Sequence, residues 1–204
     1  RIADTARLDA QTLAVEIGPG AGTLTSFLAP RAGGVLAVEF DQRLRPLHAD
    51  AFGTEPSIRF HYDDVLKVDL QRMAREEVAA RGLQSAVLVG NLPFQITSPL
   101  LFGQCGHGVP WRRMALMVQK EVADRVQSPP GPKAYGILTV KLAYWWKLVE
   151  RFEVPASCFT PRPQVDAAVL VFEPLPADQT PSPELWKGLS PCIDAAFGQR
   201  RKML

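Results

Sequence analysis

The chain offers little from which to build a covalent or metal-held framework. Of its 204 residues only three are cysteines and three are histidines. Cys105, Cys158 and Cys192 are odd in number and far apart, with no Cys-x-x-Cys pair and no histidine nearby, which excludes a disulfide scaffold and leaves no zinc-ligand spacing. They are expected to be reduced packing residues, and no metal is expected. His48, His61 and His107 are scattered, so no catalytic or ligating role is assigned to them. No apolar run approaches the roughly 18 residues of a membrane helix, and the opening Arg1-Ile2-Ala3-Asp4 lacks the apolar segment of a signal peptide. The expectation is a cytoplasmic protein, or one of the mitochondrial matrix or plastid if organellar, without a membrane role and acting as a monomer. A large charge of one sign is missing too: the net charge is +2, and the composition alone does not announce a nucleic-acid binder. What remains, 47% apolar and 22% charged, is the make-up of one ordinary globular core with a small appendage.

Within that frame, apolar runs alternate with helical stretches. Residues 12 to 17 read as a strand that enters Gly18-Pro19-Gly20-Ala21-Gly22, and 23 to 29 read as a helix. Strand, glycine-rich turn and helix form the first unit of a nucleotide-binding α/β sheet: the glycines let the backbone approach a ligand and the helix start presents free N–H groups. The spacing Gly-x-Gly-x-Gly suits the loop of S-adenosylmethionine-dependent methyltransferases better than that of dinucleotide enzymes. A second strand over 34 to 40 carries Glu39 near its end, about twenty residues beyond Gly18, where an acid can accept both hydroxyls of a ribose. Phe40 follows it. A helix over 42 to 51 and a strand over 57 to 62 lead to Asp63-Asp64. Asp64, before Val65, is the candidate for an adenine amino group; Asp63 reads equally as a cap.

A helix over 69 to 81 precedes the strand Val87 to Gly90, which stops at Asn91-Leu92-Pro93-Phe94 because proline has no N–H to donate to a ladder. An amide oxygen, a carbonyl beside a stiff residue and an aromatic ring at a strand end suit the exocyclic amine of a flat heterocycle: two acceptors for its N–H groups and a face to stack on. The same four residues also read as a capped turn with a core ring. Further on come a helix from Pro99 to Phe102, a strand over 113 to 118, a helix over 120 to 126, a turn-dense 128 to 132, a helix over 135 to 143 and a strand following Trp145-Trp146. Both tryptophans read mainly as core. Residues 159 to 166 form a proline-stiffened loop before a strand over 167 to 172, and 184 to 201 an amphipathic helix. Arg112-Arg113, Arg162 and Arg200-Arg201-Lys202 are local basic clusters, readable as solvated surface or as phosphate contacts.

Taken together, these stretches resemble the KsgA-type ribosomal RNA adenine N6,N6-dimethyltransferases. The matching residues are 15–25, 38–41, 63–66, Gly-Asn-Leu-Pro-Phe at 90–94, Gln-Lys-Glu-Val-Ala-Asp-Arg at 119–125, 134–140, Phe-Thr-Pro-Arg-Pro-Gln-Val-Asp at 159–166 and Phe-Gly-Gln-Arg-Arg-Lys at 197–202. The resemblance implies a Rossmann-like methyltransferase domain over 1–173, a proline-rich linker over 174–183 and the start of a small helical RNA-binding domain over 184–204. It implies S-adenosylmethionine as cofactor, held by Gly18, Gly20, Glu39, Phe40, Asp64, Val65 and Asn91, and no metal. Asn91, Leu92, Pro93 and Phe94 would carry catalysis, with Phe94 and Phe159 flanking a flipped base and Arg112, Arg113, Arg200, Arg201 and Lys202 on RNA phosphates. The implied reaction is double methylation of two adjacent adenosines near the 3′ end of small-subunit RNA, on a pre-30S-type particle. Members usually open with a glutamine-rich segment that closes over the cofactor and continue past Gln-Arg-Arg-Lys, so this chain reads as trimmed at both ends. Two alternatives share most of these motifs: an erythromycin-resistance methyltransferase of large-subunit RNA, and a non-catalytic RNA-binding or transcription-factor role of the kind found among mitochondrial relatives. Leu92 and Ala134-Tyr135-Gly136 favour the KsgA type.

Overall fold

A computed structural model describes residues 1–198 of the chain. Its centre is β1 (Thr12–Ile17), buried along its whole length and paired in parallel with β2 (Gly34–Glu39) on one side and β4 (Ser85–Asn91) on the other. With β3 (Ile58–Tyr62), β5 (Trp111–Gln119), β6 (Trp146–Val154) and β7 (Ala167–Pro174) these make one seven-stranded sheet in the order β3-β2-β1-β4-β5-β7-β6. The first five run parallel, and β7 runs antiparallel between β5 and β6. Strands covered on both faces are predominantly apolar, and 12–17, 34–39 and 113–118 have that composition apart from Thr12, Glu16, Glu39 and Arg113. The order of connection reverses between β1 and β4, so the loops leaving those two strands part and open a crevice at the C-terminal edge.

Side-chain parity divides the core in two. Leu13, Val15 and Ile17 face a cluster that includes Leu70 and Ala74 of α4 (Leu70–Ala80), Leu100 and Leu101 of α5 (Thr97–Phe102), and Leu138 and Leu142 of α7 (Ile137–Ala143). Ala14, Ala37, Val87 and Ala115 face the other, which holds Ala3 of α1 (Ile2–Thr5), Ala6 at the end of that helix and Leu28 of α2 (Thr23–Leu28). Small residues on this second face let short helices approach the sheet closely. Trp145 and Trp146 are core residues, as expected.

Several boundaries differ from the sequence reading for identifiable reasons. The expected helix over 42–51 opens as a 3-10 turn at Gln42–Leu44 before α3 (Arg45–Phe52), because the Asp41 carboxylate accepts the Arg43 N–H and Pro46 occupies the first α turn. The helix expected from Tyr135 starts at Ile137, after Gly136 in an extended conformation. β4 includes Asn91, which pairs with Met117 in the ladder, and β5 begins two residues before Arg113. Helix α6 (Lys120–Val126) matches expectation, and Pro174, the expected first residue of the linker, ends β7. α8 (Pro183–Gly198) lies on α7, with Trp186 edge-on to Trp145 and an ion pair from Lys141 to Asp194 at 2.8 Å.

One expectation is overturned. Arg113 is only 4% exposed: its guanidinium donates to the Thr5 carbonyl at 2.7 Å and pairs with Glu173, which ties α1 and β7 to β5 and leaves nothing for an RNA phosphate. Arg112 stays at the surface, but donates to the Arg7 carbonyl at 2.7 Å and to Thr12 Oγ1 at 3.0 Å. Both arginines sit at the start of β5, the opposite end of the sheet from the crevice. Arg200, Arg201 and Lys202 lie outside the described residues.

Candidate functional site

β1 ends at Ile17 and the chain turns through Gly18, Gly20 and Gly22, with φ of 65°, 56° and 85°. Only glycine adopts such angles without strain, so the loop's composition follows from its path. An added methyl group at Gly20 would meet nothing within 4 Å, so that residue faces open space, while one at Gly18 would reach van der Waals contact with Pro93 at 3.8 Å, which places the loop beside the end of β4. Gly18 N–H donates to the Val38 carbonyl at 2.9 Å, which moors the loop to β2.

Glu39, the last residue of β2, reaches across this loop. One carboxylate oxygen accepts the Gly20 N–H at 3.0 Å and the other accepts the Asp41 N–H at 2.8 Å. Each oxygen keeps a second lone pair, which is what two ribose hydroxyls require. Beside it Phe40 is 74% exposed, an uncovered ring at the strand end. Asp64 follows β3; one oxygen accepts the Leu66 N–H at 3.0 Å and the other lies 3.8 Å from Lys67 Nζ. It therefore organises its own turn, while Val65 packs its side chain on the core.

At the end of β4 the Leu92 side chain is buried and its N–H donates to the Met117 carbonyl at 3.0 Å. The Pro93 carbonyl accepts from Ile96 N–H at 3.2 Å and Thr97 Oγ1 at 3.1 Å, which closes a turn into α5. Neither the Leu92 carbonyl nor the Asn91 side chain has a hydrogen-bond partner among the described residues, and Phe94 is 46% exposed. Gly90 is required by contact: a methyl group there would stand 2.8 Å from the Ile17 carbonyl.

Two cavities meet here. The larger, about 730 Å³, runs along Gly18–Ala21 to Asn91, Met117 and Phe159, with Glu16 in its lining. The smaller, about 290 Å³, is walled by Asn91 to Phe94, Phe159 and the loop prolines Pro161 and Pro163. Asn91 and Phe159 line both. The structure thus brings together Gly18, Gly20, Asn91, Leu92, Pro93, Phe94 and Phe159; Glu39 joins through its bond to the loop, and Asp64 lies farther along the edge. The wall loop is anchored by one residue, since Asp166 accepts the Ala156 N–H on its side chain at 2.8 Å and the Lys120 N–H on its carbonyl at 3.0 Å.

Two residues near the loop escaped the sequence reading. Glu16 is 1% exposed, and burial pushes its carboxyl up to about 7, against the Thr25 hydroxyl that donates to it at 2.6 Å and with the nearby Glu39 charge adding to the rise. A carboxylate inside an apolar strand was a legible signal. His48 of α3 is also buried and touches the loop; nothing in its sequence surroundings marks it. Among the described residues no group of three or more His, Cys, Asp or Glu could hold a metal, and no helix is long and apolar enough to cross a membrane.

The strand order, the glycine loop after β1, the acid ending β2 and the amide ending β4 are the features of a Rossmann-like methyltransferase. Comparison with known proteins narrows this: the chain belongs to the ribosomal RNA adenine dimethylase family, whose model matches residues 1–204. Ribosomal RNA small subunit methyltransferase A of Anoxybacillus flavithermus is 38% identical over 206 residues, covering all of this chain and 68% of that protein. The protein of the same name from a Streptococcus pneumoniae strain is 39% identical over 210 residues, covering all of this chain and 69% of its own length. Among solved structures, a dimethyladenosine transferase from Plasmodium falciparum superposes with a TM-score of 0.81 at 25% identity, over 100% of this chain and 69% of that one. The 23S rRNA methyltransferase ErmE gives 0.75 at 26%, over 98% and 75%.

Proposed function

We propose that this chain transfers methyl groups from S-adenosylmethionine to N6 of two adjacent adenosines near the 3′ end of small-subunit ribosomal RNA, in a maturing ribosomal particle. The observation that carries the reading is the meeting of two cavities at Asn91, where the Asn91 amide and the Leu92 carbonyl are both uncommitted acceptors. The open glycine loop and the spare lone pairs of Glu39 fit the cofactor's amino-acid and ribose portions. S-adenosylmethionine would supply an electrophilic methyl group with a neutral leaving group.

The residues of the chain then have three tasks. An adenine amine is a weak nucleophile because its lone pair is delocalised into the ring; Asn91 Oδ1 and the Leu92 carbonyl accept its two N–H groups and favour the geometry in which the pair localises. Phe94 and Phe159 offer faces to a base removed from its stack, offsetting an extrusion cost of a few kcal/mol. The proline-rich wall at 161–163 closes the side of the smaller cavity and limits water there. The amine nitrogen would gain the methyl group as the methyl–sulfur bond breaks, and the proton it sheds would pass to water; a monomethylated amine keeps one N–H, which one of the two acceptors can hold for a second transfer. Residues 184–204 would begin an RNA-binding helical domain, with Arg200, Arg201 and Lys202 on phosphates.

The ErmE match makes a large-subunit adenosine the second reading, because the two kinds of enzyme share this fold. Methylation of small-subunit particles and of large-subunit RNA in parallel, with the modified nucleotides mapped, tests both. Adjacent dimethyladenosines in small-subunit RNA support the first reading; one modified adenosine in large-subunit RNA alone would replace it with the second.

A further inference from the structure

His48 is 2% exposed, yet both its ring nitrogens are engaged. Nε2 lies 2.7 Å from the Gly20 carbonyl oxygen and Nδ1 lies 2.9 Å from the Tyr62 hydroxyl, while the ring stacks on Phe60 at 4.2 Å and 13°. A carbonyl oxygen only accepts, so Nε2 carries the hydrogen, and in the neutral ring Nδ1 is the acceptor of the Tyr62 O–H. Gly20 N–H is held by Glu39. The two peptide planes that meet at the Gly20 Cα are therefore fixed from opposite sides, one by a carboxylate and one by an imidazole. Tyr62 is the last residue of β3, immediately before Asp63 and Asp64.

We propose that His48 is a positioning residue for the cofactor: through Nε2–H it sets the orientation of the glycine loop, and through Tyr62 it ties that loop to the β3 end that leads into Asp64. The two parts of the site assigned to opposite ends of the cofactor, the loop and the turn after β3, are then held at a fixed separation by one imidazole. A glycine at φ of 56° would otherwise sample several conformations at no steric cost, and binding would have to order it. The inference rests on the reading of this crevice as an S-adenosylmethionine site.

The test is calorimetric binding of S-adenosylmethionine to the 204-residue protein and to three variants, with steady-state kinetics on small-subunit particles. His48→Leu removes the donor and should raise the cofactor Kd roughly threefold to tenfold, the scale of one neutral hydrogen bond, with kcat at saturating cofactor and KM for RNA held within about twofold. His48→Gln places an amide N–H near the Nε2 position and should restore most of the affinity. Tyr62→Phe, which frees Nδ1 and loosens the ring, should fall between. In the unliganded wild type, nitrogen NMR should show a protonated Nε2 and an unprotonated Nδ1, and this measurement holds the proposal to account even if His48→Leu fails to fold. Wild-type affinity in His48→Leu, equal weakening in His48→Gln and His48→Leu, or the opposite tautomer would overturn the role of His48 while leaving the cofactor reading intact. A wild-type protein that does not bind S-adenosylmethionine would remove both.

Discussion

Replacing Glu16 by glutamine should make the protein more stable at neutral pH and change how its stability depends on pH. Glu16 is 1% exposed at the floor of the larger cavity, on the sheet face of Ala14 that α2 covers, and among the described residues its carboxylate accepts a side-chain hydrogen bond from Thr25 alone, so ionising it leaves a desolvated charge with one hydroxyl to answer it. Burial pushes its carboxyl from the ordinary 4.5 to about 7. The folded state therefore holds a proton that the unfolded chain has released. Below pH 4.5 both states are protonated and the buried acid costs nothing; as pH climbs toward 7 the folded state binds more protons than the unfolded one, and stability falls. Each tenfold in proton affinity is worth about 1.4 kcal/mol, so the loss on crossing this window is on the order of 3 kcal/mol. The amide of Glu16→Gln does not titrate, and its oxygen can still accept the Thr25 hydroxyl. Urea unfolding of both proteins between about pH 4 and 8.5 at constant ionic strength isolates the effect, because every other titrating group is common to the two curves and cancels in their difference. That difference should grow by about 3 kcal/mol in favour of the variant from acid to neutral pH and then level off. Parallel curves across the whole range would refute the reasoning.

Glu39→Ala should weaken S-adenosylmethionine binding by about 1 to 3 kcal/mol in a folded protein, since it removes a charged acceptor and frees Gly20 N–H; calorimetry reads this directly. Asn91→Ala should lower single-turnover methylation far more than it weakens RNA binding, whereas Phe94→Ala should chiefly weaken capture of the base and Phe94→Tyr should be nearly silent. Arg113→Ala should cost about 1 to 3 kcal/mol in a urea melt, because it strands the Thr5 carbonyl and leaves the partly exposed Glu173 with only the looser Arg7 contact at 3.5 Å among the described residues, and it should leave the salt dependence of RNA binding unchanged. Replacing Arg200, Arg201 and Lys202 should instead shallow that salt slope by roughly one unit for each phosphate no longer neutralised, measured by titration at several salt concentrations.

The architecture was legible because its signals are local. A strand running into Gly-x-Gly-x-Gly, acids at two later strand ends and Asn-Leu-Pro-Phe at a fourth need only periodicity and the backbone limits of glycine and proline to be read. Arg113 shows how a local reading goes astray: with the strand taken to start at 113, the pair Arg112-Arg113 looks like a surface cluster. Extended back to Trp111, the strand puts Arg113 in phase with Ala115 and Met117, on a covered face. Parity was available as a warning. His48 offered none, because its partners Gly20 and Tyr62 are 28 and 14 residues away and a lone histidine on a short helix carries no period. The cavity shared by Asn91 and Phe159 belongs to the same category, since it depends on β7 turning back beside β5.

That shared wall has a kinetic consequence. If donor and acceptor occupy separate compartments that touch only at Asn91 and Phe159, exchanging a spent donor does not require the acceptor to leave. How many methyl groups a given amine carries on release is then a contest between two departure rates, and only one of them depends on the glycine loop. A substitution that shortens the residence of the base, as Phe94→Ala should, will raise the share of monomethylated product even where the intrinsic rate of each transfer is untouched. Tightening the hold on the base will do the reverse. The degree of modification is on this view a property of residence times, adjustable from the aromatic side of the wall without altering the group that orients the amine.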